Sequence, residues 1–498
     1  MFSPTIAQPG LKRKPNLLPT AVLTAALSVT ILPAHADEVA DLRAQVQQLA
    51  TQLMQVTERL QAVENSKTRN DSAEQRTAPR MTGATSTDQN GRPIKAGDSA
   101  MTLYDNGNSS MALYGIIEAT LSHANHQNGA GNSANGFQVA YFSGNRLGFD
   151  MQHGVEEFGN ALGMSDLKVI AKLESEFELP TGGMDTNGVF FNRDAWVGLY
   201  SKSLGKLTLG RQNTLTRDFT ANWGDPFGGP TVSTNEGGYS NVNNFKQLIF
   251  YSAGPNGTRY NSAIEWKKEF DEHLIAGLAY AFGSGGNGGS SDPGAGGSVP
   301  GDFAKGTAQA ASIAYQNIDL GGAKLNLNAN FDRANKNDLT HKATLVGGNI
   351  VMGPWRLNAG AIHYTAEQGA NNSAGTRTDN PWTISLQYRP NKFEYDIGYQ
   401  VLKGSHAGMN SSGVTLNPFF GDTSGVTAAS TADGKKTSVY GAVRYNVDKR
   451  TDIYVAADWF KVSDGWVVGD ALGNGQKFGA GQSQNAELEV ATGIRFKF

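Results

Sequence analysis

Cysteine is absent from the 498 residues of this sequence, which excludes disulfide bonds and every metal or redox site that depends on a thiolate. A surplus of one charge is absent too. The 42 basic residues nearly balance the 45 acidic ones, so the chain lacks the basic footprint of a nucleic-acid-binding protein and no nucleic-acid partner is predicted. Only 17% of the residues are charged, and 61 are glycine, which favours many tight turns and loops.

Long apolar runs are missing beyond the N-terminus, so a membrane-embedded form of this protein would have to be a barrel. The N-terminal segment has basic residues at 12–14, an apolar run over 17–32 and the small-x-small sequence Ala34-His35-Ala36. This pattern predicts a secretory signal peptide over residues 1–36, cut after Ala36. An N-terminal membrane anchor is the alternative, but the run is short for a span and contains Pro19.

Motifs of common enzyme classes are also missing. The sequence has no GxxxxGK[ST] phosphate loop, no HExxH zinc motif and no GxSxG nucleophile elbow. His123 and His126 are three residues apart, but no third metal ligand is evident near them. We therefore predict no catalytic residue, no cofactor and no metal site. A barrel lipase needs no such elbow and stays an alternative.

A heptad pattern occupies residues 37–64, directly after the predicted cleavage site. Apolar residues recur there at spacings of three and four, which is the a/d seam of a short α-helical coiled coil. The seam consists of Val39, Leu42, Val46, Leu49, Leu53, Val56, Leu60 and Val63. A lone amphipathic helix lying on another surface is the alternative. Residues 65–110 are polar without a lasting period and predict a linker.

Residues 111–498 change to a pattern of short strands. The segment "LKVIAKLESEFEL" at 167–179 alternates apolar with charged residues, which is typical of a strand with one apolar and one solvent-facing side. We predict sixteen such strands of roughly ten residues, joined alternately by long loops and short turns, which indicates an antiparallel outer-membrane barrel. A seventeenth candidate, "FKQLIFYS" at 245–252, is assigned to a loop because single-chain bacterial barrels have even strand numbers. Eighteen strands would require another strand hidden in a loop.

The last residues, "EVATGIRFKF", alternate in the same way, with Phe498, Phe496 and Ile494 on the apolar face. A closed barrel pairs its last strand with its first, so we expect this strand to pair with the one that begins near Met111. In that first strand, Ile117 should face lipid and Glu118 should face the lumen.

The strands also resemble a known family. The segments "LYGIIEATL", "NRLGFDMQHGVEEFGN", "LKVIAKLESEFEL", "NRDAWVGL" and "GKLTLGRQNT" are similar in order and spacing to the N-terminal half of Gram-negative general porins, over residues 111–282. The closing "ATGIRFKF" resembles the family's C-terminal signal, which the barrel-assembly machinery reads. The resemblance implies an all-β, sixteen-stranded homotrimer in outer-membrane lipid. Its water-filled channels would pass small hydrophilic solutes and ions by diffusion.

The resemblance also implies a constriction made by the third extracellular loop, here about residues 213–259. The matching loop residues are Asp218, Asp225, Pro226, Phe227, Gly228, Gly229 and Glu236. The basic residues of the facing wall match Arg146, Lys168, Arg193 and Arg211, and Lys172 faces inward by parity. Strict alternation would point Arg193 and Arg211 at lipid unless a bulge or a strand end re-aims them. A basic wall of this kind predicts a weak preference for anions.

The coiled coil is not part of the common family pattern. It is similar to prefixes on some porins for sugars and dicarboxylates, and we expect it in the periplasm, where it would lock the trimer or reach the cell wall. A second function also fits the sequence. A non-conducting barrel could act as an adhesin or as a cell-wall anchor.

Overall fold

The computed structural model describes residues 101–127, 130–139, 141–232, 255, 257–283, 303–408, 426, 431–465 and 485–498. The predicted signal peptide, the coiled coil and the first part of the linker lie outside these residues. The segment "FKQLIFYS" and Glu236 lie outside them as well.

Strands account for most of the described residues. They are β1 Met101–Asp105, β2 Ser109–Ala124, β3 Ala134–Gln138, β4 Asn145–Gly154, β5 Lys168–Phe177, β6 Asp194–Ser201, β7 Gly205–Asn213, β8 Arg259–Glu269, β9 Leu274–Ala281, β10 Ala308–Asp319, β11 Lys324–Lys336, β12 Leu339–Met352, β13 Trp355–Gln368, β14 Gly375–Asp379, β15 Trp382–Tyr388, β16 Phe393–Gly408, β17 Thr431–Asn446, β18 Thr451–Asp464 and β19 Ala486–Lys497. Two α-helices, α1 Glu156–Ala161 and α2 Leu215–Gly224, and a 3₁₀ turn at Ala370–Asn372 complete the described elements.

These nineteen described strands form one closed antiparallel sheet, in which sixteen strands make the barrel wall. The short β1 and β3 are additions to the edges of β2. β14 and β15 both pair with β13 and are one wall strand interrupted at Asn380 and Pro381, because proline has no N–H to give the ladder. The wall closes where β19 pairs with β2, over Glu489–Lys497 and Ala124–Ile116. The prediction of a sixteen-stranded barrel is confirmed.

The connections sort onto two rims of the barrel. Two of them depart from the regular alternation of long loops and short turns that the sequence predicts. The longer one, between β4 and β5, contains the helix α1 and lies on the rim of the short turns. The other connection, between β11 and β12, consists of Asn337 and Asp338 alone, because β11 continues to Lys336 and β12 begins at Leu339. Both residues have positive φ, at 51° and 66°, as the tight turn of a β-hairpin requires.

The two faces of the wall have opposite chemistry. Outward side chains are apolar and exposed, among them Ile117, Leu121 and Val197. Inward side chains of the same strands are buried and largely polar, as Glu118 and Thr120 in β2 show. The alternation that the sequence predicts for β2 and β5 is therefore present, and the apolar face is the one that lipid would cover.

The start of the barrel corrects the predicted linker. Residues 101–105 form β1, which pairs with Ser110–Leu113 of β2, and β2 itself begins at Ser109. Seven of the last ten residues of the predicted linker, 101–105 and 109–110, thus belong to the sheet. Among the residues that the structure describes, no helix is long and apolar enough to cross a membrane.

Candidate pore constriction

The connection between β7 and β8, residues 214–258, is loop 3, and its described part lies inside the barrel. It begins with α2, which Thr214 caps by accepting a hydrogen bond from the backbone N–H of Arg217 at 3.2 Å. Thr214 also donates from its hydroxyl to the carbonyl of Gly257, so both ends of loop 3 are joined at the wall. The helix then packs against the inner faces of β9–β13.

The inner wall under α2 is lined by small apolar side chains. Leu215, Phe219 and Val232 of loop 3 are buried in a cluster with wall residues that are mostly alanine: Tyr260, Ala263, Ile275, Ala279, Ala281, Ala308, Ala310, Ala314 and Ala334. Alanine at inward positions leaves the volume that a helix needs, and burying the apolar face of α2 fixes the helix there. The lumen is thus partly filled by the protein's own loop.

Trp223 anchors the end of α2. Its side chain is fully buried, and its indole N–H donates to Asn328 Oδ1 at 2.7 Å. The ring lies on Gly347 and Gly360, which are paired directly across β12 and β13. A Cβ atom at either glycine would approach the ring to 2.4 Å or 2.2 Å, so no larger residue fits there without displacing the indole.

Polar wall residues fasten the backbone of loop 3. Asn328 Nδ2 donates to the carbonyl of Phe219 at 2.8 Å. Asn349 Nδ2 donates to the carbonyls of Asn222 and Pro230, both at 2.7 Å. These bonds satisfy backbone oxygens that lie away from bulk water, and they add direction to the apolar packing.

The loop 3 tip, residues 225–229, has the sequence that the family resemblance singled out. Asp225 Oδ1 accepts from the N–H of Phe227 at 2.9 Å, which forms a local turn. Arg356 donates to the carbonyls of Pro226 and Gly228, and Gln387 also donates to the carbonyl of Pro226. The backbone of Pro226 and Gly228 is therefore held against the wall of β13 and β15. Gly229 is the last residue of the tip.

The two acidic side chains in the described part of loop 3 do not face the basic wall in the way the resemblance implied. Asp218 accepts from Lys267 Nζ at 2.7 Å and from Asn213 Nδ2 at 2.8 Å, so it is bound to the wall beside β8. Asp225 accepts the hydrogen bond from Phe227 that forms the local turn of the tip. Glu236 is outside the described residues.

The wall of β4–β6 carries three of the predicted basic residues. Arg146 is buried, and its Nε donates to the carbonyl of Gly144. Arg193 forms ion pairs with Glu174 and Glu176, whose side chains both point inward from β5. Arg193 therefore turns into the lumen from just outside β6, despite its unfavourable parity.

Lys172 belongs to the same inward face. Its ammonium group is 3.6 Å from Asp194 and 5.2 Å from the ring centre of Tyr114. Tyr114 in turn donates its hydroxyl to Glu174 at 2.8 Å. Lys172, Glu174 and Asp194 thus form one network on the inner wall.

The segment before β6 is held by Asn192. Its Oδ1 accepts from the N–H of Glu176 at 2.7 Å, and its Nδ2 donates to Asp185 at 2.9 Å. Burial raises the pKa of Asp185, and the nearby negative charge of Glu176 raises that pKa further. These bonds fix the position from which Arg193 reaches its two glutamates.

The structure does not bring Lys168 to this group, and it places Arg211 at the edge of the group. Lys168 lies at the turn end of β5, where it donates to Gln152 at 3.3 Å. Arg211 follows a bulge in the β7–β8 ladder at Gly210. Its guanidinium donates to the carbonyl of Asn192 and to the side chain of Asn261, and it lies within electrostatic reach of Arg193 and Asp194.

Comparison with known proteins decides the family. Residues 96–465 match the family model described as Gram-negative porin. The chain belongs to the Gram-negative porin family. This porin is located in the outer membrane.

Two further comparisons agree with that assignment. Over 181 residues the porin is 27% identical to an outer membrane porin protein of Bordetella pertussis, a segment that covers 35% of this chain and 43% of that protein. The chain thus matches less than half the length of this relative.

Among solved structures, the anion-selective porin from Comamonas acidovorans superposes with a TM-score of 0.55 at 18% identity, covering 78% of this chain and 100% of that one. The outer-membrane OmpT of Vibrio cholerae gives a TM-score of 0.48 at 14% identity, covering 80% and 100%. The first likeness shows the shared barrel fold.

Two arginines of this porin's constriction were not found from the sequence. Arg217 lies in the first turn of α2, within electrostatic reach of Arg146. Arg259 begins β8 and donates to the carbonyl of Arg193 at 3.1 Å, with Arg217 also within electrostatic reach. A signal for α2 does exist, because Leu215, Phe219 and Trp223 recur every four residues after the capping Thr214.

In the described part of the porin, no group of three or more His, Asp or Glu side chains could hold a metal ion. His123 accepts from or donates to Asn135, and His126 bonds to the carbonyl of Ala486. The two histidines thus have separate partners, in β3 and in β19.

Proposed function

We propose that this porin passes small hydrophilic solutes and ions by passive diffusion and that it favours anions weakly. The observation that carries the preference is the group of four arginines, Arg146, Arg193, Arg217 and Arg259, where loop 3 meets the wall of β4–β8. Cationic groups in a narrow, low-dielectric passage raise the local concentration of anions.

The carboxylates near these arginines reduce the preference without cancelling it. Glu174 and Glu176 pair with Arg193, and Asp194 lies beside Lys172. The four arginines and Lys172 thus stand against three carboxylates. Asp218 of loop 3 is bound to Lys267 at 2.7 Å and also lies 4.0 Å from the guanidinium of Arg217, so Lys267 and Arg217 share its negative charge. A small positive surplus supports weak selectivity, and an anion-selective porin shares this fold.

Neutralising Arg217 and Arg259 is expected to weaken the preference of the channel for anions. In the double variant Arg217→Gln, Arg259→Gln, the ratio of anion to cation permeability should fall roughly two- to fivefold, since one unscreened charge at about 4 Å in water is worth about 1 kcal/mol. The reversal potential across a salt gradient in a planar bilayer measures this ratio.

Arg333→Gln is the matched control. Arg333 donates to Gln309 and is not among the residues of the constriction. Its loss should leave the reversal potential at the wild-type value. If the double variant and the control give the same reversal potential as wild type, the arginine group does not set the selectivity.

The family match favours this channel over the non-conducting adhesin or anchor. It also favours a channel over a barrel hydrolase, and no residue is assigned a catalytic role.

We also propose a homotrimer. On the outer faces of β2 and β4–β7 the described aromatic residues are Phe149 and Phe177, both half-buried, whereas aromatic residues on later strands are exposed: Trp355, Trp382, Phe393 and Phe496. Exposed aromatic residues near strand ends suit the lipid interface, so a face poor in them suits contact with a second copy. Aliphatic side chains such as Leu209 cover that face.

The heptad segment is proposed to support the trimer. After cleavage behind Ala36, residues 37–64 would form a periplasmic coiled coil that joins three copies, with residues from 65 onward as the tether. Deleting residues 37–64 should lower the temperature at which the trimer dissociates, because the variant loses the seam contacts that join the copies.

The measurement is the dissociation midpoint on unheated and stepwise-heated gels. Replacing Leu49 and Leu53 with alanine, without changing chain length, provides a second variant that should act in the same direction. An unchanged midpoint in both variants would contradict the stabilising role and would leave attachment to the cell wall as the other role predicted for this segment.

A further inference from the structure

Loop 1, which joins β2 to β4 over residues 125–144, leaves the wall at a gap in the ladder. On one edge of β2, β3 pairs with Thr120–Ala124 and β4 pairs with Ser109–Ile116, so the described pairing skips residues 117–119. Asn145 bridges this gap with its side chain. Its Oδ1 accepts from the N–H of Glu118, and its Nδ2 donates to the carbonyl of Val139 at 2.6 Å. The chain between β3 and β4 is thereby directed into the lumen.

Glu118 holds the part of loop 1 that enters the lumen, residues 141–143. Its side chain is fully buried, and its carboxylate accepts the N–H groups of Tyr141, Phe142 and Ser143 at 2.8, 2.7 and 2.8 Å. The hydroxyl of Tyr454 adds a fourth bond at 2.8 Å. Three successive amides that converge on one carboxylate form a charge-assisted clasp, which is stronger than bonds between neutral groups.

Phe142 connects this segment of loop 1 to loop 3. Its fully buried ring lies 4.7 Å from the ring centre of Phe227 in the loop 3 tip and 4.5 Å from that of Tyr454. The guanidinium groups of Arg444 and Arg495 each lie 5.7 Å from the centre of the same ring. Phe142 is thus enclosed between the two loops and the wall of β17–β19, and its cation–π contacts add to the packing.

Two more bonds fix the same segment of loop 1 against β18 and β19. Arg495 Nη1 donates to the hydroxyl of Ser143 at 2.9 Å, while Arg495 also pairs with Asp452 of β18. Tyr141 donates its hydroxyl to Asp458 at 2.8 Å. Apolar side chains of both loops and of β17–β19 form one cluster on this inner wall: Tyr141, Phe142, Phe227, Tyr440, Ala442, Tyr454, Ala456 and Ala491.

We infer that loop 1 is a second constriction element, which meets loop 3 at Phe142 and Phe227 and closes the β17–β19 side of the lumen, and that Glu118 is the residue that positions it. This inference rests on the proposed channel function. Solutes are then confined to the side where the four arginines lie, and the width of the pore depends on both loops. Without the Glu118 carboxylate, residues 141–143 lose the three bonds that hold their backbone inside the barrel, and only side-chain contacts remain.

The test compares Glu118→Gln, Phe142→Ala and the control Asp379→Asn in planar bilayers. Asp379 is a fully buried wall carboxylate that pairs with Arg377 of its own strand, and it touches neither loop in the described contacts. Single-channel conductance and the size of the largest polyethylene glycol that enters the pore are measured. Both loop 1 variants should raise conductance about twofold or more and admit larger polymers, since a wider polar pore conducts more. The control should match wild type.

A cysteine pair provides a second measurement, because the natural chain contains no cysteine. In the double variant Phe142→Cys, Phe227→Cys, a short bifunctional thiol reagent should link loop 1 to loop 3 in the folded barrel. The same pair should link much less in a Glu118→Gln background. This experiment keeps the inference testable if Glu118→Gln alone yields too little folded barrel for recording.

The outcomes separate the inference from the proposed function. If wild type and Asp379→Asn conduct but both loop 1 variants keep the wild-type conductance and polymer cut-off, loop 1 is not a constriction element. Failure of the cysteine pair to link in folded protein also overturns the inference. If wild type itself does not conduct, the channel function fails and takes this inference with it.

Discussion

Deleting Phe498 is expected to prevent most of the chain from reaching the outer membrane as a closed barrel. Its N–H and its carbonyl bond to the carbonyl and the N–H of Gly115, at 3.1 and 2.8 Å. The ring lies over Gly115, where a Cβ atom would approach it to 2.4 Å, and it stacks on Phe496. Two hydrogen bonds and one half-buried aromatic ring are together worth about 3 kcal/mol at the seam.

The substitution Gly115→Val distinguishes the seam contact from the assembly signal. It leaves "ATGIRFKF" intact for the barrel-assembly machinery but fills the space between the Phe498 ring and the carbonyl oxygen of Arg146. We expect this variant to reach the membrane yet to melt at a lower temperature, whereas the deletion should fail at insertion. The amount of heat-modifiable barrel in outer-membrane fractions measures both effects.

Phe393→Ala is the control for the loss of one interfacial aromatic residue. Phe393 is exposed at the start of β16, which is separated from the seam strand β19 by β17 and β18. This variant should insert at nearly the wild-type level. Normal insertion of the Phe498 deletion would show that the terminal residue is neither a signal nor a part of the closure.

Replacing Trp223 with alanine is expected to release loop 3 from the inner wall. The substitution removes a fully buried indole and its bond to Asn328, a change that costs about 3–5 kcal/mol when a large aromatic side chain leaves a packed site. The tip bonds from Arg356 and Gln387 remain, so the loop should fluctuate rather than leave the lumen. We expect higher conductance, greater current noise and a smaller anion preference.

Trp382→Ala is the matched control, because this tryptophan lies on the outer face and is 43% exposed. It should leave the current unchanged. The variant Gly360→Val approaches the same site from the wall and should imitate Trp223→Ala, since the new side chain would occupy the place of the indole. If Trp223→Ala and Gly360→Val both gave currents with the conductance and noise of wild type, this result would contradict the role of Trp223 as the anchor of loop 3.

The barrel could be predicted from the sequence because its signals are local. Alternation along "LKVIAKLESEFEL" shows which side chains share a face, and the long and short connections show the two rims. The pairing of the last strand with the first follows from closure. The short β1 was missed because five residues within a polar segment carry no lasting period.

The constriction could be predicted only in part, because it depends on contacts between residues far apart in the chain. Parity placed Lys172 inside, but it could not show that Arg193 turns inward to Glu174 and Glu176. Asp218 has the right charge for a pore-facing residue, yet its partner Lys267 lies 49 positions away. The clasp at Glu118 joins backbone N–H groups, which no side-chain pattern reveals.

The central claim is that this porin is an open channel with a weak preference for anions. The most direct test is to reconstitute the wild-type protein in a planar bilayer and to record single-channel currents across a gradient of potassium chloride. The account predicts stepwise openings and a reversal potential whose sign shows that chloride passes more readily than potassium. Silence from a correctly folded trimer, or a reversal potential of the opposite sign, would contradict it.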